Sequence, residues 1–481
     1  MQFGNNSGTL KMVLFEIYLL FWDEMGGTLM KNLKRIPDYM ITEIFIIAMS
    51  LAFLIKCITT AAGGNYLYAD GSNFIYSILQ KGSVVTFIPG RRGSFYLMQL
   101  PVLLCLKAGI KDINVLCMMY GIGSAMWLGG FILLAMILCK KYNAKQYITI
   151  LAVLYSLINV FSGFFTAIES VTAVGMYCFL LIYYLISCKG TDWMYRMIAL
   201  ALLAILPVAN EYFVGYSTVL LIVLVVRLIQ EGKKIYTSEW ILHMFVNGCA
   251  IYYSWQAATE GAPTTSLLKS IETLSEKKYY WILLAFLIVS MLLALLYGAI
   301  QNSLVKYISI FFSILCIIWF AQTIYLFPDK IASASFSMRF MNLIIPSATG
   351  IFCFLLWWFD IDFRYILSGM AFMFLVFNCM YDIQASNHYH NYLIRINELA
   401  QERQGFFEVD ETDLDRTFCW SWAIPIESFM IQCLMGEQTI DSNMIYQFDM
   451  QDWEAFDSDN IEAYGDMSVY GIQISKEAFQ L

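Results

Sequence analysis

Six charged side chains lie at the ends of long apolar runs, where they could do chemistry at the surface of a bilayer. They are Asp70, Arg91, Arg92, Glu169, Glu211 and Arg339. Carboxylates can act as general bases, and guanidinium groups can bind phosphate through paired hydrogen bonds. Because ionisable groups near membrane depth are costly, these positions are candidates for one functional site.

Asp70 lies just past the end of the first long apolar run and precedes Gly71 and Ser72. A carboxylate there could accept a proton from a hydroxyl group, or hold a divalent cation such as Mg²⁺ or Mn²⁺ against a phosphate leaving group. Asp-Gly-Ser is also common in turns, so a helix cap or an Asx turn is the alternative. We predict a catalytic role for Asp70 and leave the cation open.

The three arginines are predicted to bind substrate. Arg91 and Arg92 follow Pro-Gly and precede a short helical stretch, an arrangement that presents guanidinium groups at headgroup depth. Arg339 enters a late apolar run from the same predicted face. The alternatives are contact with anionic lipid headgroups for the arginine pair and snorkelling to the membrane surface for Arg339.

Two glutamates stand in turns between short apolar runs. Glu169 follows Phe164-Phe165 at the mouth of a predicted helix, and we predict that it is catalytic. Its alternative is a structural hydrogen bond to a neighbouring helix. Glu211, between Asn210 and Tyr212, could bind substrate in a polar cavity or cap the helix that follows it.

The composition indicates an integral membrane protein. The chain has 481 residues, of which 59% are hydrophobic and 14% charged, and its mean hydropathy is +0.63. Soluble domains carry about 25% charged residues, so we predict an all-α polytopic membrane protein. Phosphate loops and nucleophile elbows are missing from the sequence, and the net charge of −8 argues against nucleic acid as a partner.

Eleven apolar runs are long enough, or nearly so, to cross a bilayer. They cover residues 41–61, 113–139, 147–161, 170–187, 197–209, 212–227, 240–256, 280–300, 305–327, 340–358 and 364–381. The stretch 94–110 is shorter and contains Pro101, so we predict an interfacial helix in the first outer loop. Met12–Trp22 is too short to span, and either an interfacial segment or a start at Met25 or Met30 would explain it.

Basic residues in short loops predict the orientation. They fall on one face when eleven spans are counted: Lys31, Lys34, Arg35, Lys140, Lys141, Lys145, Lys189, Arg196, Arg227, Lys233 and Lys234. The N-terminus is then cytoplasmic and the C-terminal region lies outside. A twelve-span alternative, which counts 94–110, would place 140–145 outside. Because no organelle address is recognisable, we predict a plasma membrane.

The charge distribution divides the chain into three parts: a cytoplasmic segment 1–40, a transmembrane domain 41–381 and an extracytoplasmic region 382–481. The last part carries 19 acidic and 4 basic residues, and we predict a small α-helical and irregular subdomain that packs through the apolar stretch 418–426. Cys419 and Cys433 could pair there or remain free. No cysteine or histidine spacing indicates a metal site, and His243 is interpreted as a core residue.

The layout of the chain resembles the GT-C superfamily of polytopic glycosyltransferases. The resemblance covers about residues 60–381: an outer loop with Asp70 near its start, an interfacial helix, a basic inner turn, short outer turns carrying Glu169 and Glu211, and Arg339 before a helix with Pro346. It implies transfer of a sugar from a polyprenyl phosphate to a glycan, lipid or protein acceptor at the outer leaflet. Asp70 would then be the catalytic carboxylate of the first loop, and Arg339 would stabilise the lipid phosphate. Many members carry Asp-x-Asp, where this chain has Asp70-Gly-Ser72.

A non-enzymatic membrane protein is the competing interpretation, such as a flippase for lipid-linked sugars, a transporter or an assembly partner. Transporters commonly show internal repeats, broken helices and charges within their spans. Here the charges collect at the surfaces and the centres of the spans are almost purely apolar, which favours chemistry at an interface.

Overall fold

The computed structural model describes the residues 38–86, 89–162, 169–186, 192–231, 237–259, 278–326, 335–359, 364–410, 412–414, 418–419, 423–437, 439–446 and 467–474. The chain divides into two compact units, Met1–Ile47 and Ala48–Leu481. In the first unit the described residues are 38–47, which form the beginning of the first helix.

The described residues form α-helices at every predicted apolar run. The helices are α1 Asp38–Gly63, α2 Asp70–Lys81, α3 Arg92–Lys107, α4 Ile113–Lys141, α5 Gln146–Ser162, α6 Glu169–Ile186, α7 Trp193–Ile205, α8 Phe213–Glu231, α9 Thr237–Thr259, α10 Lys278–Ile300, α11 Ser303–Leu326, α12 Ser335–Phe359, α13 Arg364–Glu402 and α14 Ile424–Leu434.

Eight of the described helices are long and apolar enough to cross a membrane, namely α1, α4, α6, α8, α10, α11, α12 and α13. The protein is therefore a multi-pass membrane protein, as its composition predicts. Helices α5, α7 and α9 also lie on predicted runs but are not among these eight. The count of eleven spans stays a prediction.

Helix α3 occupies the stretch predicted as an interfacial helix. Pro101 lies inside it and has no N–H to donate to the carbonyl of Leu97 four residues earlier. The indole Nε1 of Trp127, on α4, donates to that carbonyl at 2.7 Å. The carbonyl of Leu97 is therefore hydrogen-bonded despite the proline. The same bond joins α3 to α4. Its depth in the bilayer stays a prediction.

The C-terminal region contains strands that the sequence analysis did not predict. These are β1 Gly405–Val409, β2 Thr439–Ile440, β3 Ser442–Tyr446 and β4 Gln473–Ile474. β1 pairs in parallel with β3, from Gly405 with Ser442 to Val409 with Tyr446, and β2 pairs in parallel with β4. The predicted boundary at 381/382 falls inside α13, which continues without a break to Glu402.

A single hydrophobic core joins the C-terminal region to the first loop. It includes Tyr66–Ala69, residues of α2, and residues of α13 and α14. Phe418 packs edge-on against Tyr68, with ring centroids 6.5 Å apart, and also contacts Tyr389. The predicted packing of the apolar stretch 418–426 onto the rest of the protein is therefore seen at Phe418. Cys419 and Cys433 are not joined in a disulfide, and Cys419 Sγ lies 3.7 Å from the hydroxyl of Tyr392.

A buried ion pair connects α1 to α13. Lys56 Nζ lies 3.1 Å from Asp382 Oδ1, and both side chains are almost completely inaccessible to solvent. Asn159, on α5, donates to Asp382 Oδ2 and to Asn378 Oδ1 at 2.8 Å each. Charges therefore lie inside the helix bundle as well as at the surfaces, and three helices share one polar contact.

Replacing Asp382 with asparagine should destabilise the protein by about 3–5 kcal/mol, because Lys56 is left buried without its anionic partner. The double variant Lys56→Met, Asp382→Asn removes that charge and keeps an oxygen for Asn159, so it should be the more stable of the two. Apparent melting temperatures in detergent compare them. A double variant less stable than Asp382→Asn alone would contradict the pairing.

Candidate functional site

Arg91 is brought into the protein interior by a tight turn and a glycine. It ends the 3₁₀ turn Pro89–Arg91, immediately before α3. A Cβ on Gly93 would lie 2.8 Å from the carbonyl oxygen of Ile205 and 3.1 Å from Cα of Ala209, both backbone atoms. Ser94 Oγ donates to the carbonyl of Ala209 at 2.7 Å. The absence of a side chain at Gly93 thus lets the start of α3 touch the turn that carries Glu211.

The guanidinium of Arg91 binds both predicted glutamates. Its Nε donates to Glu211 Oε2 at 2.8 Å, its second terminal nitrogen donates to Glu211 Oε1, and its first donates to Glu169 Oε1. Arg91 is 4% exposed, and each glutamate is 8% exposed. We refer to these three residues as the carboxylate clamp.

The electrostatics of the carboxylate clamp keep Arg91 charged. Burial lowers the pKa of Arg91, but the neighbouring carboxylates of Glu169 and Glu211 outweigh it and hold the pKa above its usual value. Two carboxylates with one guanidinium leave one net negative charge in a buried place. Removal of Arg91 would leave two buried anions close together, which costs more than the loss of its three hydrogen bonds alone.

The carboxylate clamp does not supply the donor set of a metal ion. Both oxygens of Glu211 and Oε1 of Glu169 already accept hydrogen bonds from the Arg91 guanidinium. Among the described residues, no group of three or more His, Cys, Asp or Glu side chains is placed to hold a metal. We therefore derive no step through Mg²⁺ or Mn²⁺.

Asp70 stands on a strained turn. It is the first residue of α2, while Ala69 occupies the cap position, so Asp70 is not the helix cap. Gly71 N donates to the carbonyl of Tyr68 at 3.0 Å and closes the turn, with Ala69 at φ 50° and ψ −120°. This backbone conformation costs an L-residue roughly 1–3 kcal/mol. The carboxylate of Asp70 is exposed at the end of this turn.

A second carboxyl group, that of Glu427, accepts a hydrogen bond from the strained turn. Glu427, on α14, is completely buried, and its Oε1 accepts a hydrogen bond from the amide of Ala69 at 3.0 Å. Tyr389 donates to the same oxygen at 3.0 Å, and Tyr392 donates to Oε2 at 3.4 Å. Burial raises the pKa of Glu427 to about 8, although its three hydrogen bonds act in the opposite direction.

Tyr120 is a buried tyrosine of α4 that lies within electrostatic range of both Asp70 and Glu169. The structure thus brings Arg91, Glu169 and Glu211 into direct contact and places Asp70 in the same neighbourhood. Arg92 is exposed beside the clamp. Arg339 belongs to α12, but its side chain lies outside the described residues.

Glu427 and Tyr120 are two residues of this region that were not predicted from the sequence. Glu427 is the only charged residue in the helical stretch Ile424–Leu434, and a lone acid within an apolar helix is a signal of a buried, partnered carboxyl group. Tyr120 carries no comparable signal, because a tyrosine in an apolar run is ordinary. His243, interpreted as a core residue, is buried, and its Nδ1 lies 2.7 Å from the hydroxyl of Tyr184.

The fold and the site define a multi-pass membrane protein with a buried acid–arginine cluster beside an exposed carboxylate. Comparisons with family models, with curated proteins and with solved structures find no match to this chain. The function must therefore be argued from the site itself.

Substitution of Arg91 with methionine should destabilise the protein by about 3–5 kcal/mol, because Glu169 and Glu211 are left buried without their cation. Adding Glu169→Gln and Glu211→Gln removes both charges and should restore much of the lost stability. Thermal unfolding in detergent measures both effects. An Arg91→Met variant as stable as the wild type would contradict the carboxylate clamp, and Arg92→Met, which removes an exposed charge, is the matched control.

Glu427 should make stability fall as the pH rises. The folded state keeps a proton on this carboxyl up to about pH 8, whereas an unfolded chain releases it near pH 4.3. The contribution is therefore complete below about pH 4.3 and lost as pH passes through about 8. In Glu427→Gln, which carries no titrating group there, the melting temperature should decline less between pH 5 and 9. Parallel curves for the two proteins would contradict the shift.

Proposed function

We propose that this protein is a membrane glycosyltransferase that moves a sugar from a polyprenyl phosphate to an acceptor hydroxyl at the outer face of the plasma membrane. The single observation that carries the proposal is the convergence of acidic and basic groups from distant stretches of the chain. Arg91, Glu169 and Glu211 meet in one clamp, and the buried Tyr120 lies within electrostatic range of both Glu169 and Asp70.

The proposed catalytic base is Asp70. Its carboxylate is exposed, so an acceptor can reach it, and its position on a strained turn is typical of functional residues. In the proposed step Asp70 takes the proton of the acceptor hydroxyl while that oxygen attacks the anomeric carbon. The bond between this carbon and the phosphate oxygen breaks, and polyprenyl phosphate leaves with the electron pair. A single displacement of this kind inverts the anomeric centre.

The two arginines of the turn have different roles in this proposal. Arg91 is bound to Glu169 and Glu211, so it positions these carboxylates beside the acceptor and does not contact the phosphate. Arg92 is exposed at the first position of α3, where the helix N-terminus and the guanidinium both favour an anion. We therefore assign the departing phosphate to Arg92, together with Arg339.

The orientation of the proposed site follows from the basic loops identified in the sequence. If the N-terminus is cytoplasmic, the 3₁₀ turn Pro89–Arg91, the start of α6 and the end of α7 all lie on the outer side. Lipid-linked sugars and their acceptors would meet there at headgroup depth. The C-terminal region, which packs against the Asp70 turn, would lie on the same side.

Replacing Asp70 with asparagine should reduce transfer by at least about 100-fold, because the acceptor loses its proton acceptor. The assay supplies short-chain polyprenyl phosphates carrying mannose, glucose, arabinose or N-acetylglucosamine to membranes that contain the protein. Mass spectrometry then follows the release of polyprenyl phosphate. Asp112→Asn is the matched control, since Asp112 caps α4 through its side chain and asparagine also caps helices.

Normal release by a correctly inserted Asp70→Asn variant would overturn the assignment of Asp70. If purified protein in liposomes instead moves a labelled lipid-linked sugar between leaflets, and does so equally well with Asn at position 70, the protein is a flippase. In that case the proposal of a glycosyltransferase fails.

A further inference from the structure

We propose that Glu427 is a positioning residue that fixes the Ala69 turn, so that the C-terminal region sets the direction of the Asp70 carboxylate. The hydrogen bond from the Ala69 amide to Glu427 Oε1 joins residues 358 positions apart in the chain. Its catalytic consequence rests on the proposed function of Asp70, whereas the contact itself does not.

The turn needs an external partner because its own residues do not favour it. Ala69 is an L-residue at φ 50°, while nearby Gly64, at φ 73°, meets a left-handed requirement with a glycine. Strained backbone persists only where the surroundings over-determine it. The amide of Ala69 is buried, and a buried N–H without a partner is costly, so an acceptor in this place selects the strained conformation.

Glu427 is well placed to be that acceptor. Its helix is buried along Ile424–Cys433, and its two oxygens are held by the hydroxyls of Tyr389 and Tyr392 on α13. The two tyrosine rings stack at 5.6 Å, and Phe418 packs against both. Residues of α13 and α14 therefore fix the position of the acceptor oxygen. The position of these two helices in turn sets the direction of the Asp70 side chain.

The protonated form of Glu427 can also hold the turn. Burial raises its pKa to about 8, and a protonated carboxyl group keeps an acceptor oxygen. Glutamine reproduces that oxygen and nearly the same shape, but leucine does not. The two substitutions therefore separate loss of the hydrogen bond from loss of the charge.

Hydrogen exchange measured by mass spectrometry on peptides covering 66–79 tests the contact without reference to any substrate. We expect the Ala69 amide to exchange at least about tenfold faster in Glu427→Leu than in the wild type, since its acceptor is gone. Glu427→Gln should keep most of the protection. Glu437→Leu is the matched control, because Glu437 bonds to Gln401 near the surface.

Unchanged exchange in Glu427→Leu, or an equal increase in Glu437→Leu, would overturn the proposal. If the leucine variant does not fold, Tyr389→Phe takes its place. This change removes one bond to Glu427 and keeps the ring, so exchange of the Ala69 amide should rise. No rise would again overturn the proposal.

The catalytic consequence is tested with the lipid-sugar assay. Glu427→Leu should lower transfer at least about tenfold, and adding Ala69→Gly should recover part of that loss, because glycine adopts a positive φ without strain. A loss caused by disruption of the core around α14 would not be repaired by relief of strain at position 69. Normal transfer by Glu427→Leu would exclude the positioning role. Faster exchange with no transfer by any protein, the wild type included, would leave the contact standing and reject the proposed function.

Discussion

The bonds between Arg91 and the carboxylates of Glu169 and Glu211 fix the relative positions of three separate parts of the chain. A buried guanidinium with two buried anions is stable only while all three groups stay together, because any one of them alone would pay the full cost of desolvation. The contact therefore acts as a constraint on the start of α3, the start of α6 and the turn before α8. Gly93 makes this contact possible because it has no side chain, so the backbone at the start of α3 can approach the backbone of Ile205 and Ala209.

Much of the helical architecture could be predicted from the sequence. Apolar runs of about 20 residues report directly on helices that cross a bilayer, since each satisfies its own backbone hydrogen bonds. All eleven runs are helical within the described residues, and even the short run around Pro101 forms a helix. The residues of the carboxylate clamp were also identifiable, because charged groups at the ends of apolar runs are conspicuous.

Other features depend on contacts that no local pattern reports. The pairing of Asp382 with Lys56 joins residues 326 positions apart, and the parallel pairing of β1 with β3 joins strands separated by α14. The choice of partner for Arg91 belongs to the same category. The sequence identifies Arg91 as a charged residue near the bilayer surface, but not that Glu169 and Glu211 are its partners. The strained backbone at Ala69 could not be predicted from the sequence either, because alanine does not signal a positive φ.

The shared core of the first loop and the C-terminal region has a consequence for the order of assembly. Residues 66–120 are synthesised before the side chains that complete their core, which come from 389–472. Until those residues have been synthesised, Tyr68 and its neighbours remain uncovered and the turn bearing Asp70 lacks its support. This region therefore completes its core late in assembly, and a polypeptide without residues 389–472 would insert its helices yet expose an apolar aromatic surface.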